Sequence, residues 1–506
     1  MNQAAQLQQD NQRLRAEVEQ LRVENRLLKQ KLDALAQRMF GKKSEQLNPA
    51  QLELLLAGVI DSVDPAATTE PEEEPDIARH RERRCNTQRV RTPDDLEVVS
   101  EIIEPELVTA EPAAWKRIGQ EVSRRLDYQP AKFFWHETIR PKYVRVDDRQ
   151  LPPVICPATP QVIEGGLPAP GLLAQILVGR FCDHLPYYRQ ADIFATRHGV
   201  HIPRQQMVQW VAGSVRLLEG ITDVILGQLR HSPYAQVDET PIKYQDPDRP
   251  GACSQGYVWT ALVPRQLVYH QWHTGRGADC LTELLGADFA GDLQCDGYSA
   301  YPAHARQHPA VELAGCWAHV RRKIFEARQQ DPRRAGILLQ LIGHLYGWEK
   351  QLRNARAGPR LRAAIRGARA RPVLQRIRAI MEIYERKVLP QSLLGKALAY
   401  ARNQWPHLER FVDAGHVEID NNLVENAIRP TAVGKKNWLF MGSAQAGERN
   451  AVIYTLVANC RLHGIEPYEY LKDVLTRLPM TTNHEVEQLT PLNWQKNRQS
   501  LLKAAA

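Results

Sequence analysis

Tyr234-Ala235-Gln236-Val237-Asp238-Glu239-Thr240-Pro241 places an aspartate at the end of a strand-like run, then a proline, where a strand is expected to stop. Leu293-Gln294-Cys295-Asp296-Gly297 repeats the arrangement, with a glycine that permits a sharp exit. A third acid, Glu425, lies one turn into a helical segment opened by Asp420-Asn421-Asn422, residues suited to capping. Two acids at strand ends and one on a helix can converge on hard cations. Oxygen ligands suit Mg²⁺, and a paired-metal site can activate water or a 3′-hydroxyl for in-line attack on phosphate. Each acid also has an ordinary explanation. Asp-Gly is a common turn, Asp-Glu-Thr-Pro a common loop entry, and Glu425 with Arg429 a common helix-surface pair. Spacing alone does not choose Glu425 over Glu418 or Asp420.

Outward from these runs the pattern predicts strands at 235–237, 256–263 and 266–273, a helix at 279–285, and strands at 292–295 and 311–316. Three strands in a meander followed by helix-connected parallel ones is the order of a ribonuclease-H-like fold. The first and fourth strands of that fold are neighbours, so Asp238 and Asp296 are expected side by side.

The chain of 506 residues can bury several cores, which predicts three or four modules. Its 66 basic and 58 acidic residues give a net charge of +8, a mild bias toward polyanions that alone does not indicate nucleic acid. Eight cysteines are scattered without a Cys-x-x-Cys pair, which argues against a disulfide framework or a four-cysteine zinc site and fits a reducing cytoplasm. The N-terminus does not resemble a signal peptide, and no apolar run approaches ~18 residues, so no membrane partner is expected.

Residues 1–38 repeat at seven, with Leu7, Leu14, Leu21, Leu28 and Leu35 in one column and Asn11 and Asn25 in the other core column. Leucine at every d position and asparagine at two a positions favours a parallel dimeric coiled coil in a fixed register, rather than a lone helix folded back on its own chain. Replacing Leu14 and Leu21 with polar residues is expected to give monomers by light scattering; a persisting dimer would assign dimerisation to another surface. Residues 39–94 read as a short helix and a charged linker, and 95–165 as a small β-rich module containing Phe133-Phe134-Trp135. In 166–230, a helix at 187–197, a turn at His198-Gly199-Val200 and a second helix at 203–218 have the form of a helix-turn-helix. Arg204, Gln205, Gln206 and Gln209 stand where base-reading side chains belong. The core is expected at 231–321, a helical insertion at 322–415, the last part of the core with Glu425 at 416–448, and a C-terminal helical region at 449–506.

Several longer strings carry a resemblance. They are, near the front, Phe40-Gly41-Lys42-Lys43-Ser44-Glu45, then Val237-Asp238-Glu239-Thr240, Cys295-Asp296-Gly297-Tyr298, Cys316-Trp317-Ala318-His319-Val320-Arg321-Arg322-Lys323, Glu418-Ile419-Asp420-Asn421-Asn422-Leu423-Val424-Glu425-Asn426-Ala427-Ile428-Arg429-Pro430 and Gly434-Lys435-Lys436-Asn437-Trp438-Leu439-Phe440. Together they resemble the insertion sequence 66 transposase family, in order along nearly the whole chain. The resemblance implies a DDE recombinase with a ribonuclease-H-like core, in which Asp238, Asp296 and Glu425 hold two Mg²⁺ or Mn²⁺ ions. It also implies DNA partners, both element terminal repeats and target, a dimer or higher oligomer, accessory proteins of the same element, and a bacterial, nucleoid-associated location. Cys316 and His319 match a Cys-x-x-His element that supports such sites, against the simpler role of core packing and helix capping; Asn421, Asn422 and Arg429 are supporting candidates. Arg321, Arg322, Lys323, Lys435 and Lys436 are expected phosphate contacts. Many relatives carry two cysteine pairs in the β module; here those stretches read Thr109-Ala110-Glu111-Pro112-Ala113 and Tyr143-Val144-Arg145-Val146-Asp147-Asp148, so no structural zinc is expected. The competing expectations are a DNA-binding regulator that keeps the scaffold without the reaction, and a nuclease that cuts without joining.

Overall fold

Residues 92–129, 132–147, 152–249 and 251–505 are described by a computed structural model, all within the second of the chain's two compact units, Arg84–Ala506. The coiled-coil positions Leu7, Asn11, Leu14, Leu21, Asn25, Leu28 and Leu35, and the linker as far as residue 91, lie outside the described residues.

A four-stranded sheet comes first: β1 (Val98–Ile102), helix α1 (Glu106–Ala110), β2 (Trp115–Gln129), β3 (Lys132–Arg145) and β4 (Val154–Ile155). β2 and β3 pair antiparallel from Trp115↔Arg145 to Gln129↔Lys132, and the far end of this hairpin buries Leu126, Tyr128, Phe133 and Phe134. Helices α2 (Pro170–Phe181), α3 (Tyr187–His198) and α4 (Arg204–Arg230) follow. Phe133 packs edge-to-face on Phe194 of α3 at 5.1 Å, so the β module is seated on the helix pair by aromatic contact. Gly199 takes a left-handed φ of 65° and ends α3. α4 does not end near 218 as the sequence suggests; it continues to Arg230 because Ile221, Ile225 and Leu229 extend its buried stripe. The two glycines of this extension, Gly220 and Gly227, cost about 1 kcal/mol each, less than burying those three side chains returns.

The second sheet holds β5 (Tyr234–Gln245), β6 (Cys253–Val263), β7 (Leu267–His273), β8 (Gly291–Gln294) and β9 (Val311–Ala314), with α5 (Ala278–Leu285) and α6 (Ala300–Gln307) between the last three. Its order is β7-β6-β5-β8-β9, antiparallel among the first three and parallel thereafter. Asp238 is not a strand end: β5 runs past it, and even Pro241 stays in register opposite Tyr257. The Pro241 carbonyl accepts from Lys435 Nζ at 2.9 Å, so that residue's nitrogen also faces away from β6 and no ladder bond is lost. β8 flanks β5 only over Tyr234–Gln236; beyond it, Met441 takes over that edge, bonding Lys243 O and Gln245 N.

From there the chain builds α7 (Trp317–Ala327), α8 (Pro332–Asn354), α9 (Pro359–Ile365), a π-turn at Arg366–Ala370, α10 (Arg371–Glu385) and α11 (Leu393–Asp413). These helices share a core that includes Trp317, Leu338, Ile377, Leu398 and Phe411. A buried ion network ties them to the chain leading into the next helix. Arg366 donates to both oxygens of Glu349 at 2.7 and 2.8 Å and to the carbonyls of Phe411 and Val417, while Arg362 grips Glu349 and Glu418. Gly415 is required there, since a Cβ would stand 1.9 Å from Pro359 O.

Helices α12 (Asn422–Trp438), α13 (Ala444–His463), α14 (Pro467–Arg477) and α15 (Pro491–Ala505) complete the chain. α13 is not an appendage. Thr455 and Asn459, one turn apart, satisfy the outer edge of β7: Asn459 bonds Val268 N at 3.0 Å and Val268 O at 2.6 Å, and Thr455 accepts from His270 N at 2.9 Å. An exposed edge strand is thereby closed by side chains. One apolar core runs from Leu126 and Phe133 through Trp210, Trp259 and Leu293 to Leu456 and Leu471, so the boundaries expected at 165, 230 and 448 do not separate cores.

Candidate active site

Two buried glutamines set the geometry. Gln236 on β5 lies opposite Gln294 on β8 in the parallel register, and each is two residues before an aspartate. Asp238 follows Gln236 by two residues and so shares its face of β5, while β8 ends at Gln294 and Asp296 lies just past that end. Gln236 donates to Gln294 Oε1 at 2.8 Å and to Asp420 O at 3.0 Å, and its own Oε1 accepts from Val424 N at 3.3 Å. Gln294 donates to Glu418 O at 2.7 Å and Gly315 O at 3.2 Å. The first turn of α12 is therefore docked over the same face, one row from the aspartates, and Glu425 comes with it.

The helix start is not built as its sequence suggested. Asn421 occupies the N-cap position but makes no side-chain cap; Gln236, from the sheet, takes the Val424 N–H instead. Asp420 turns to Asn422, accepting from its N at 3.2 Å and its Nδ2 at 3.0 Å. Asn421 is fully buried with both amide atoms lacking partners. Replacing Gln236 with leucine would keep the volume, leave Asp420 O without its donor and leave Val424 N with only the Asn421 carbonyl. A loss of about 2 kcal/mol is expected from urea unfolding, and an unchanged midpoint would show that the docking does not depend on this residue.

The charges of the other acids reach Asp238. The Asp238 carboxyl is pushed up to about 8, first by burial, then by Glu239, Asp296 and Glu425, against the Glu239 N–H that bonds it. Asp296 Oδ1 accepts from Tyr298 N at 2.8 Å, fixing its rotamer. Gly297 has no left-handed φ; its lack of a side chain matters because a Cβ would meet the Tyr400 ring at 2.7 Å. His319 Nε2 lies 3.8 Å and Arg322 3.6 Å from Glu425, whereas Arg429 is exposed and is not among its ion partners. Burial holds the His319 imidazole below its ordinary pKa, although Glu425 and Asp296 pull the other way. Cys316 occupies the N-cap position of α7, buried, its thiol pushed up to about 12 by burial.

Glu418 and Asp420, the alternatives to Glu425, are engaged elsewhere: Glu418 with Arg362, Asp420 with Asn422. Arg321, Arg322 and Lys323 form an exposed basic face on α7, with Lys323 over the Tyr400 ring at 4.7 Å. Lys436 is exposed, and Lys435 is half-buried, donating to Thr240 Oγ1 and Pro241 O. Arg204, Gln205 and Gln209 are exposed at the start of α4, away from its buried stripe.

Sequence reasoning did not single out Glu239, Arg276, Tyr301, Gln236 or Gln294. Glu239 is buried beside Asp238, held by Arg276 and by Tyr301 Oη at 2.7 Å. Arg276 stacks 3.7 Å over the Tyr298 ring, so the brace links both aspartate loops. A signal for the glutamines was present: the string Gln-x-Asp occurs in both strands, with a polar residue in an otherwise apolar run.

Among the described residues, no three His, Cys, Asp or Glu side chains are drawn together closely enough to ligate a single ion. The chemistry of the donors nonetheless suits a hard divalent cation: the three acids offer only oxygen, Glu425 Oε1 is buried without a hydrogen-bond partner, and Asp238 is surrounded by like charge. No helix among the described residues is long and apolar enough to cross a membrane.

Residues 165–449 match the family described as "Transposase IS66 family", 455–492 the "IS66 C-terminal element", and 27–100 "Transposase C of IS166 homeodomain". Three relatives from Sinorhizobium fredii align over most of the chain. Uncharacterized protein y4qI is 32% identical, over 92% of this chain and 88% of its own length. Uncharacterized protein y4jD is 31% identical, over 97% and 98%, and uncharacterized protein y4hP is 27% identical, over 95% and 90%.

Proposed function

The chain belongs to the IS66 transposase family, and from that premise we propose a DDE-type DNA transposase with a ribonuclease-H-like core. It cuts at the ends of its element and joins the freed 3′-hydroxyl to target DNA. What supports this reading most is that Asp296 and Glu425, after burial and Glu239, add to the rise of the Asp238 carboxyl, so the three acids feel one another's charge. The strand order β7-β6-β5-β8-β9 supports the fold assignment.

Asp238, Asp296 and Glu425 are the residues that would hold two Mg²⁺ or Mn²⁺ ions. Bound there, such ions supply Lewis-acid polarisation of the phosphate and a lowered pKa for the attacking hydroxyl. The protein's own groups do the rest. Gln236 and Gln294 lock α12 against the sheet, so Glu425 is positioned by buried hydrogen bonds rather than by a loop. Arg276 pairs with Glu239, which offsets part of the charge that this neighbouring carboxylate adds beside Asp238. Arg322, within reach of Glu425, and the neighbouring Arg321 and Lys323 present donors to phosphate oxygens. Arg204, Gln205 and Gln209 of the helix pair bind element-end DNA, and the heptad leucines pair two chains.

The test is strand transfer. A duplex carrying the DNA that flanks the coding region, labelled at its element end, is incubated with the full chain, Mg²⁺ and a plasmid target, with and without the products of adjacent reading frames. Metal-dependent cleavage followed by a joined product is expected. Cleavage without joining would make the protein a nuclease, and binding without either product would make it a regulator.

A further inference from the structure

Helix α12 has a second working face. Leu423, Asn426 and Pro430, with Asn422 at the edge nearer Glu425, line a cavity of about 630 Å³, bounded on its other sides by the β6–β7 turn, α8 and α13. A second cavity of about 520 Å³ shares Tyr346 and Asn422 with the first and extends to Arg321, Arg322 and Phe325 on α7. Arg322 also lies 3.6 Å from Glu425, so the pair of cavities opens beside the acid cluster.

Its lining is positive and apolar together. Arg265, Arg353 and Arg461 stand in the first cavity, Arg321 and Arg322 in the second. The acids in the lining are already engaged: Glu418 by Arg362 and Arg353, Asp420 by Asn422. Phe325 and Leu423 are exposed, and Phe325 shares the exposed face of α7 with Arg321 and Arg322 at helical spacing. Arg265 carries a further mark. It is the third residue of the turn Val263-Pro264-Arg265-Gln266, closed by Gln266 N to Val263 O at 3.0 Å, and takes a φ of 64° where glycine would sit without strain.

We propose that these cavities receive unpaired nucleotides of a DNA strand passing the acid cluster, phosphates against the arginines and base faces against Phe325, Leu423 and Pro430. Stacking surface interleaved with cations is the chemistry of single-strand binding. Two small cavities wrapped around one helix do not admit a duplex. The proposal rests on the transposase reading and names the form of its substrate.

Fluorescence anisotropy with the full chain in EDTA tests it, comparing a forked duplex bearing an unpaired tail with a blunt duplex of the same sequence. The parent is expected to bind the fork more tightly. Arg265→Ala with Arg461→Ala, both on exposed residues, should weaken fork binding about tenfold and leave blunt binding within about twofold. Phe325→Ala, whose exposed ring spares folding, should weaken fork binding by about tenfold as well. Equal fork and blunt affinities in the parent, equal losses on both DNAs, or no loss in folded variants overturns the proposal. So does displacement of the fork by an acidic peptide at matching charge concentration, which would assign the cavities to a protein partner. Asp238→Asn separates the two claims: full strand transfer by that variant sinks the catalytic reading and leaves the binding result standing.

Discussion

Asp238→Asn is expected to lose end cleavage by about a thousandfold or more while becoming more stable than the parent at pH 8. The two effects share one cause. Burial and the charges of Glu239, Asp296 and Glu425 raise the Asp238 carboxyl from 3.8 to about 8. The folded state therefore binds this proton more tightly than the unfolded chain, so stability falls as pH climbs from about 4 to about 8 and levels off above. Asparagine keeps the oxygen that accepts from Glu239 N and never ionises. The variant's advantage should be absent near pH 4 and reach the order of a few kcal/mol above pH 8, without divalent ions. Thermal midpoints in EDTA across that range, with duplex binding as a control, check it. A variant less stable than the parent at pH 8, or one that still cleaves, contradicts the assignment.

Arg366→Met is expected to destabilise the protein by about 3–5 kcal/mol, the largest stability effect of any single change considered. The guanidinium is fully buried and satisfies both oxygens of Glu349 together with carbonyls at the end of α11 and at Val417. Removing it leaves Glu349 with Arg362 alone, although burial already works against that carboxylate and the two arginines are what hold its pKa below the usual range. Because 414–420 leads directly into α12, cleavage should fall with stability. Arg371→Met breaks an exposed pair with Asp413 and should change stability by under about 1 kcal/mol. Urea unfolding of both decides; a loss below about 1 kcal/mol for Arg366→Met would show that the network is not what holds the insertion.

The strands of the second sheet were legible because their apolar runs are bounded by turn residues, and their order followed from the helices between them. Asp238 was misplaced within its strand because a proline usually ends one. The exception depends on Lys435 and Met441, which lie nearly two hundred residues away in sequence and leave no local mark. The same holds for β7, whose edge is completed by Asn459, and for the cap on α12, which comes from Gln236 rather than the adjacent asparagines. Local spacing left Glu425, Glu418 and Asp420 equivalent. The fold separates them by giving Glu418 to Arg362 and Asp420 to Asn422. The heptad at 1–38 is read from sequence alone.

Manganese binding, followed by electron paramagnetic resonance on the full chain, tests the acid cluster most directly. The parent is expected to take up Mn²⁺ and release it to excess Mg²⁺, and Asp238→Asn, Asp296→Asn and Glu425→Gln should each abolish that uptake in folded protein. Parent-like Mn²⁺ binding by all three variants would mean that these carboxylates do not form a metal site.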